Sequence, residues 1–438
     1  MPSDDTTFER AKALFLEGVA LAEAGDPAAA ERCFDASLAL LPERASTLIN
    51  LGTVRLRLGK PEPALAVLDR AIALDGGQPD AWCQRGLALA SLGRVVDSVA
   101  SFERALELDD GCQAARFHLG CMLNEQRRHA QALAVFERLV ALEPGSAAAW
   151  FRHGQTLQAL DRHAQALQSY ERALALDAAQ PQAWINRGGI LREAGRDAEA
   201  ALAYRQALAH GGDGELIGFC LAAVEHGVAP KAPPREHVQG LFDDYAGQFD
   251  AHLLQVLRYR GHQVLVDELR QVVGERRFAH ALDLGCGTGL CGVQLASLAE
   301  RIDGVDLAAN MLAQARARHL YDRLVQADVA SYLAGTERRH DLIVAGDVFT
   351  YVGDLEAVFA GAARVLQFDG VLAFSVEAAE DDGERDVVLR ASLRYAHSRR
   401  YLEALAERHG FVVRRLTRQP FREDQRTMMQ AWYGVLSR

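Results

Sequence analysis

The chain has 438 residues, 49% hydrophobic and 24% charged, with a formal net charge of −11. That length exceeds one ordinary domain and the balance is globular, while the negative charge argues against nonspecific nucleic-acid binding, which needs a basic surface to meet phosphates. Cys33, Cys83, Cys112, Cys121, Cys220, Cys286 and Cys291 are odd in number without a C-x-x-C pair, the acidic opening MPSDDTTFER is no signal peptide, and no apolar run reaches the ~18 residues of a membrane span, so a cytoplasmic protein is expected.

The first half repeats. Gly18, Gly52, Gly86, Gly120, Gly154 and Gly188 stand 34 residues apart. Twelve residues after each comes Ala30, Ala64, Ser98, Ala132, Ala166 and Ala200, and sixteen after comes Phe34, Leu68, Phe102, Phe136, Tyr170 and Tyr204. Four residues before the last four glycines stand Trp82, Arg116, Trp150 and Trp184. Small residues let paired antiparallel helices approach closely, and the aromatics fill the seam between repeats. Pro42 and Pro144 end two of the second helices, as is common just past a C-cap. Ser98 in an alanine slot and Arg116 in a tryptophan slot are the departures.

This pattern resembles the tetratricopeptide repeat (TPR) family, with six repeats and a closing helix over 8–227. GELIGFCLAAVEHG, residues 214–227, reads as the helix that caps the last repeat. The resemblance implies a concave face lined by the first helix of each repeat. Asn50, Gln84, His118, Arg152 and Asn186 occupy the slot that faces the groove in peptide-binding solenoids; a solvated polar face is the alternative. His118 and Cys121 lie close in sequence, but with no second pair nearby no metal site is expected.

VAPKAPP, within a linker at 228–235, breaks the helical pattern with Pro230, Pro233 and Pro234. Beyond it, over 236–438, short β-branched runs alternate with helical stretches, which predicts a doubly wound parallel sheet. HALDL leads into the turn GCGTG, and GLCGVQLASLAE leaves it as a helix. A dinucleotide fingerprint wants glycine at 290, where Leu290 stands, so a dinucleotide oxidoreductase is disfavoured. The observed G-x-G-x-G suits a nucleoside with an amino-acid tail, because glycines let backbone lie against a ligand. Asp306, ending the second strand, is placed to accept ribose hydroxyls. Asp328 follows the third strand and is placed for an adenine amino group or, alternatively, as a helix cap. Met311 is placed for the adenine face, and Asp347 ends the fourth strand, where ligands bind.

These elements in order resemble the class I S-adenosylmethionine-dependent methyltransferases. The resemblance implies a multidomain chain: an all-α TPR solenoid, then an α/β doubly wound, Rossmann-like domain of seven strands with the last antiparallel. The whole chain also resembles a bacterial group of predicted methyltransferases with TPR repeats, through LFDDYAGQFDAHL, GDVFTYVGDL and LRYAHSRRYLEALAERHGF. QFDG replaces the usual Gly-Gly turn before the fifth strand. The implied S-adenosylmethionine set is Asp283, Gly285, Cys286, Gly287, Gly289, Asp306, Leu307, Met311, Asp328, Val329, Asp347 and Tyr245. Within it the Cys286 side chain, in a variable slot of the turn, is read as packing. Tyr245 and Phe249, four apart on one helix face, belong to a segment that the resemblance makes a lid; core packing is the alternative.

Methyl transfer from a sulfonium is an in-line displacement, so alignment and exclusion of water come first, and a base is needed only for a protonated acceptor. His397 is the best candidate base because it titrates near neutrality; bracing the following helix is its alternative role. Tyr395 and Asp347 complete the candidate catalytic set, and Asp347 is placed to touch either the cofactor's amino group or the acceptor. The leading expectation is a protein or peptide acceptor recruited by the solenoid. A small-molecule or sugar acceptor, with the solenoid used for homo-oligomerisation or docking, and a non-catalytic scaffold remain open.

Overall fold

The computed structural model describes residues 4–379, 385–424 and 427–438. The chain forms two compact units, residues 1–190 and 191–438. Twelve antiparallel helices carry the repeats: α1 (Asp4–Glu23), α2 (Pro27–Leu40), α3 (Ala45–Arg57), α4 (Pro61–Leu74), α5 (Pro79–Ser91), α6 (Val95–Leu108), α7 (Gln113–Glu125), α8 (His129–Leu142), α9 (Ala147–Ala159), α10 (His163–Leu176), α11 (Pro181–Glu193) and α12 (Asp197–Ala209). The division between the units falls within α11.

The repeat pattern has a direct steric cause. A Cβ on Gly18, Gly52, Gly86, Gly120 or Gly154 would stand 2.7, 2.6, 2.5, 2.5 or 2.7 Å from Phe34, Leu68, Phe102, Phe136 or Tyr170. Each glycine therefore seats the large side chain sixteen residues on, and Ala30, Ala64, Ala132 and Ala166 are fully buried beside them. Ser98 fits its alanine slot by donating its hydroxyl to the Gly86 carbonyl at 2.8 Å. Trp82, Trp150 and Trp184 donate their indole N–H to the carbonyls of Gly76, Pro144 and Ala178, each six residues back. Arg116 does the same, its Nη2 lying 2.6 Å from the Asp110 carbonyl, so the departure keeps the bond and changes only the donor. Each turn within a pair carries one left-handed residue: Gly25, Gly59, Gly93, Arg127, Asp161 and Gly195, with φ of 82, 69, 70, 60, 57 and 69°.

The second unit continues with α13 (Gly214–Val224), α14 (Arg235–Tyr245) and α15 (Phe249–Ala251), a π-helical turn at His252–Val256, and α16 (Gly261–Val273). The sheet and its helices follow as β1 (Ala281–Leu284), α17 (Leu290–Leu295), β2 (Ile302–Asp306), α18 (Ala309–Ala317), β3 (Arg323–Gln326), α19 (Val329–Gly335), β4 (His340–Ala345), α20 (Glu356–Val365), β5 (Leu366–Ala378), β6 (Val387–Leu389), β7 (Tyr395–His397), α21 (Arg399–Arg408), β8 (Val412–Asp424) and β9 (Thr427–Ser437).

Nine strands among the described residues form one sheet. Its frame runs β3-β2-β1-β4-β5-β9-β8, with β9 antiparallel to both neighbours. That is the seven-stranded, doubly wound arrangement with a reversed last strand. Beyond it, β6 and β7 form a short antiparallel pair, and β7 runs parallel to β5 at Glu377 and Ala378, past the point where β4 ends opposite Phe374. Alternation sorts the core into two layers. Leu282, Leu284, Ile343, Leu372 and Phe374 pack with residues of α19, α20 and α21. Ala281, Leu342, Val344, Val371 and Ala373 pack on the other face with Leu265, Val266 and Leu269 of α16. Full burial of each large side chain contributes about 1.5–3 kcal/mol.

The proline segment is not a free tether. The Lys231 carbonyl accepts from the Asp354 amide at 2.8 Å, and the Lys231 ammonium lies 3.4 Å from the Asp354 carboxylate. The capping helix α13 sets Phe219 against Tyr395 of β7, ring centroids 6.1 Å apart, with Ala223 and Leu389 in the same cluster. The cap of the last repeat is thus covered by the β6–β7 pair.

Candidate active site

The turn after β1 is built from left-handed glycines. Gly285, Gly287 and Gly289 have φ of 66, 54 and 92°, a region that a Cβ makes costly. A Cβ on Gly285 would stand 2.3 Å from Val348, whereas Gly287 opens on free space. Gly289 also carries the first residue position before α17.

Asp306, at the carboxyl end of β2, holds the turn. Its Oδ2 accepts from the Gly287 amide at 2.8 Å and its Oδ1 from the Ala308 amide at 2.9 Å. Burial raises its pKa, and these amide bonds oppose the rise. Each oxygen keeps a lone pair for a further donor. Asp283 is fully buried; its Oδ2 accepts from the Tyr321 hydroxyl at 2.7 Å, and its Oδ1 has no partner among the described residues. Burial pushes the Asp283 carboxyl up to about 7, against the Tyr321 bond. Tyr321 slides over two further glycines: a Cβ on Gly292 or Gly304 would meet it at 2.4 or 2.9 Å.

The segment ahead of the sheet docks on this turn through two acids. Asp243 of α14 accepts from the Asn310 amide at 2.8 Å, at the start of α18. Asp250 of α15 accepts from the Thr288 hydroxyl at 2.5 Å and pairs with Arg318, which also bonds the Thr288 carbonyl. Met311 is buried beside Ala246 and Ala308, with Phe242 and Phe249 packed against them. Tyr245 stacks edge-on to Phe249 at 5.6 Å and bonds His252.

The remaining expected cofactor residues take varied places. Cys286 is buried with Leu312 and Ala315, and burial drives its thiol pKa well up, so its side chain packs as expected. Leu307 is half-buried, with its carbonyl accepting from Gln326 at 3.1 Å. Asp328 caps α19 through the Ser331 amide at 2.9 Å, the alternative role expected for it. The Val329 side chain belongs to the core.

The candidate catalytic residues divide. Asp347 lies beside the turn, with an unusual φ of 58° and its amide donating to the Ser375 hydroxyl at 3.0 Å. Its carboxylate accepts from Arg422 at 2.9 Å, and Arg422, 2% exposed, also bonds Glu377. Arg390 Nε lies 3.3 Å from Glu377 Oε2, an ion pair without hydrogen-bond alignment. Arg394 bonds the Tyr351 hydroxyl at 3.2 Å; burial works against its charge, but Tyr351, Asp347 and Glu377 hold its pKa up. His397 departs from the role of base. It is fully buried, its Nε2 lies 3.0 Å from the Gly353 carbonyl, its ring stacks on Tyr401, and burial lowers its pKa to about 4. Tyr395 is likewise fully buried against Phe219. Both brace β7 and reach no open space.

Arg422, Glu377, Tyr321 and Asp250 were not singled out by sequence. The first three lie in ordinary strand or loop contexts without a motif; Asp250 lay inside the quoted LFDDYAGQFDAHL, where only the aromatics drew attention.

Comparison with known proteins supplies the relatives. The description of a methyltransferase domain matches residues 281–370, and that of the tetratricopeptide repeat matches 15–79, 49–111, 83–149 and 151–215. A malonyl-[acyl-carrier protein] O-methyltransferase of Enterobacter lignolyticus is 31% identical over 148 residues, 33% of this chain and 59% of the relative. A trans-aconitate 2-methyltransferase of Deinococcus radiodurans is 35% identical over 120 residues, 26% of this chain and 44% of the relative. The chain therefore spans about three fifths or less of these curated relatives. Among solved structures, YrrB, described as a TPR protein with an unusual peptide-binding site, is 22% identical over 42% of this chain and 95% of its own, with a TM-score of 0.38.

Proposed function

We propose that this chain, which carries tetratricopeptide repeats followed by a methyltransferase domain, is an S-adenosylmethionine-dependent methyltransferase acting on an acidic group borne by a protein or peptide that the repeats recruit. One observation carries the cofactor reading: three left-handed glycines form an open turn whose amide is tied to Asp306, beside a buried Asp283 with an unpartnered oxygen. The residues fit the group. Asp306 is suited to the ribose hydroxyls, Gly287 leaves room for close approach, and Asp283 offers an acceptor to a cationic amine. When bound, S-adenosylmethionine supplies a methyl group already activated on a sulfonium. The chain's own work is to bind, orient and exclude water. Asp243 and Asp250 dock the aromatic segment of α14 and α15 over the cofactor corner, and Asp347 with Arg422 fixes the wall beside it.

What the wall lacks and what it holds support this acceptor class. His397 and Tyr395 are sealed in the core and Asp347 is committed to Arg422, so none of the three is placed to take a proton from an acceptor. A carboxylate is already ionised at neutral pH and needs no base. Arg390 and Arg422 pair with Glu377 and Asp347 in the same wall, guanidinium groups of the kind that recognise carboxylates. Malonyl and trans-aconitate groups, named for the relatives, are both carboxylic acids. A protein-borne acceptor gives the repeats their role. The test is incubation of the full chain with methyl-labelled S-adenosylmethionine and lysate, split into protein and small-molecule fractions. Label is expected in the protein fraction and is released by mild alkali, as esters are. Label confined to small molecules contradicts the protein acceptor, and alkali-stable label contradicts the carboxylate.

A further inference from the structure

Three side chains that no motif joins meet at the end of the sheet opposite the glycine turn. His280 immediately precedes β1, Asp303 is the second residue of β2, and His340 opens β4. β1 lies between β2 and β4, so the three amino ends are adjacent. His280 Nε2 and His340 Nε2 lie 3.1 and 3.5 Å from Asp303 Oδ2. One donor atom from each residue falls within 4.8 Å of the other two. Ligands held tetrahedrally at roughly 2.0–2.1 Å from a zinc-like ion stand roughly 3.3 Å apart. The 3.1 and 3.5 Å separations bracket that spacing.

Hydrogen bonding leaves this cluster unexplained. Asp303 and His340 are fully buried and His280 is 7% exposed. Neither ring nitrogen of His340 has a hydrogen-bond partner among the described residues, nor has Asp303 Oδ1. Each such orphan costs about 1–3 kcal/mol, which calls for a reason. The backbone is held in place: Asp341 accepts from the His280 and Ala279 amides at 2.9 and 2.7 Å. Arg338 Nη1 lies 2.9 Å from Asp303 Oδ2, yet its side chain is half exposed. It brings positive charge to the pocket and has water to swing into.

We propose that His280, Asp303 and His340 form a binding site for a divalent transition-metal ion of the zinc or cobalt(II) class, which displaces Arg338 from Asp303 and keeps a coordination position for water. Two imidazole nitrogens and one carboxylate select such ions over magnesium or calcium, which prefer oxygen ligands. The ion ties together the amino ends of β1, β2 and β4. It lies away from the turn, so its part is structural.

The test uses the full chain, stripped with chelator and titrated with cobalt(II), read by visible absorption and calorimetry. One ion per chain is expected, with the absorption of a low-coordinate site. His340→Gln is expected to weaken binding at least tenfold, with circular dichroism checking its fold. Arg338→Met, at a half-exposed position, removes the competing guanidinium and is expected to tighten binding several-fold; it decides alone if the first variant does not fold. Wild type without such binding, or an affinity unchanged in the folded variants, would overturn the proposal.

Discussion

Asp283 and His397 are both buried titratable groups, and their shifts run in opposite senses. Asp283, raised from 3.8 to about 7, suffers no burial penalty while protonated in both states; its destabilisation begins above the unfolded value and grows as pH rises through about 7. A cationic amine beside it favours the ionised form. Cofactor affinity is therefore expected to climb between about pH 6 and 8, with proton release seen by calorimetry in buffers of different ionisation enthalpy. Asp283→Asn is expected to flatten that dependence and weaken binding about tenfold, the loss of one charge-assisted bond. His397, lowered from 6.5 to about 4, binds its proton in the unfolded chain first, so stability is lost as pH falls from 6.5 towards 4. His397→Gln keeps a donor for the Gly353 carbonyl. It is expected to reduce this acid sensitivity in melts while leaving methyl transfer within a few-fold; the loss of about 100-fold or more expected of a general base would return His397 to catalysis. The turn and Asp306 were legible because their signals lie within a strand, a turn and the next strand. Arg422 reaches Asp347 across 75 residues and Tyr321 reaches Asp283 across 38, separations that no local pattern reports.

At the scale of the element, the 34-residue period was legible because every copy solves the same packing problem. The left-handed turn residues seven positions after each repeat glycine escaped notice, since Arg127 and Asp161 hide the period that Gly25, Gly59, Gly93 and Gly195 display. Asp161 is almost fully exposed at φ 57°. Asp161→Gly is expected to relieve that conformation and stabilise the unit by about 0.5–1 kcal/mol in denaturant titrations. Glycines inside helices divide by their surroundings. Gly120→Ala drives a Cβ to 2.5 Å from Phe136 and is expected to cost about 1–3 kcal/mol, whereas Gly189→Ala meets nothing within 4 Å and is expected to gain about 0.5–1 kcal/mol. Arg116→Trp retains a donor for the carbonyl six residues back and is expected to be tolerated; Arg116→Ala loses that bond and about 1 kcal/mol.

At the scale of the molecule, the proline linker suggested a boundary, while the contacts of α13 and Lys231 with the β6–β7 region and Asp354 place the capping helix in the same compact unit as the sheet. Composition shifts mark where texture changes; they do not report which surfaces adhere over more than a hundred residues. The extra strand pair was illegible for a similar reason, because a three-residue strand such as β7 becomes a strand only when β5 offers an edge. The doubly wound sheet, by contrast, was legible in short β-branched runs that alternate with helices, and its seven strands with a reversed last one were implied by the family resemblance. No helix among the described residues is long and apolar enough to cross a membrane. The proposed function stands on the turn at 285–289 with Asp306 as the S-adenosylmethionine site. Calorimetric titration of the full chain with S-adenosylmethionine, beside Asp306→Ala, tests it most directly. One binding event per chain is expected in the wild type, weakened at least tenfold in the folded variant; no binding by the wild type, or equal binding by both, would refute this assignment.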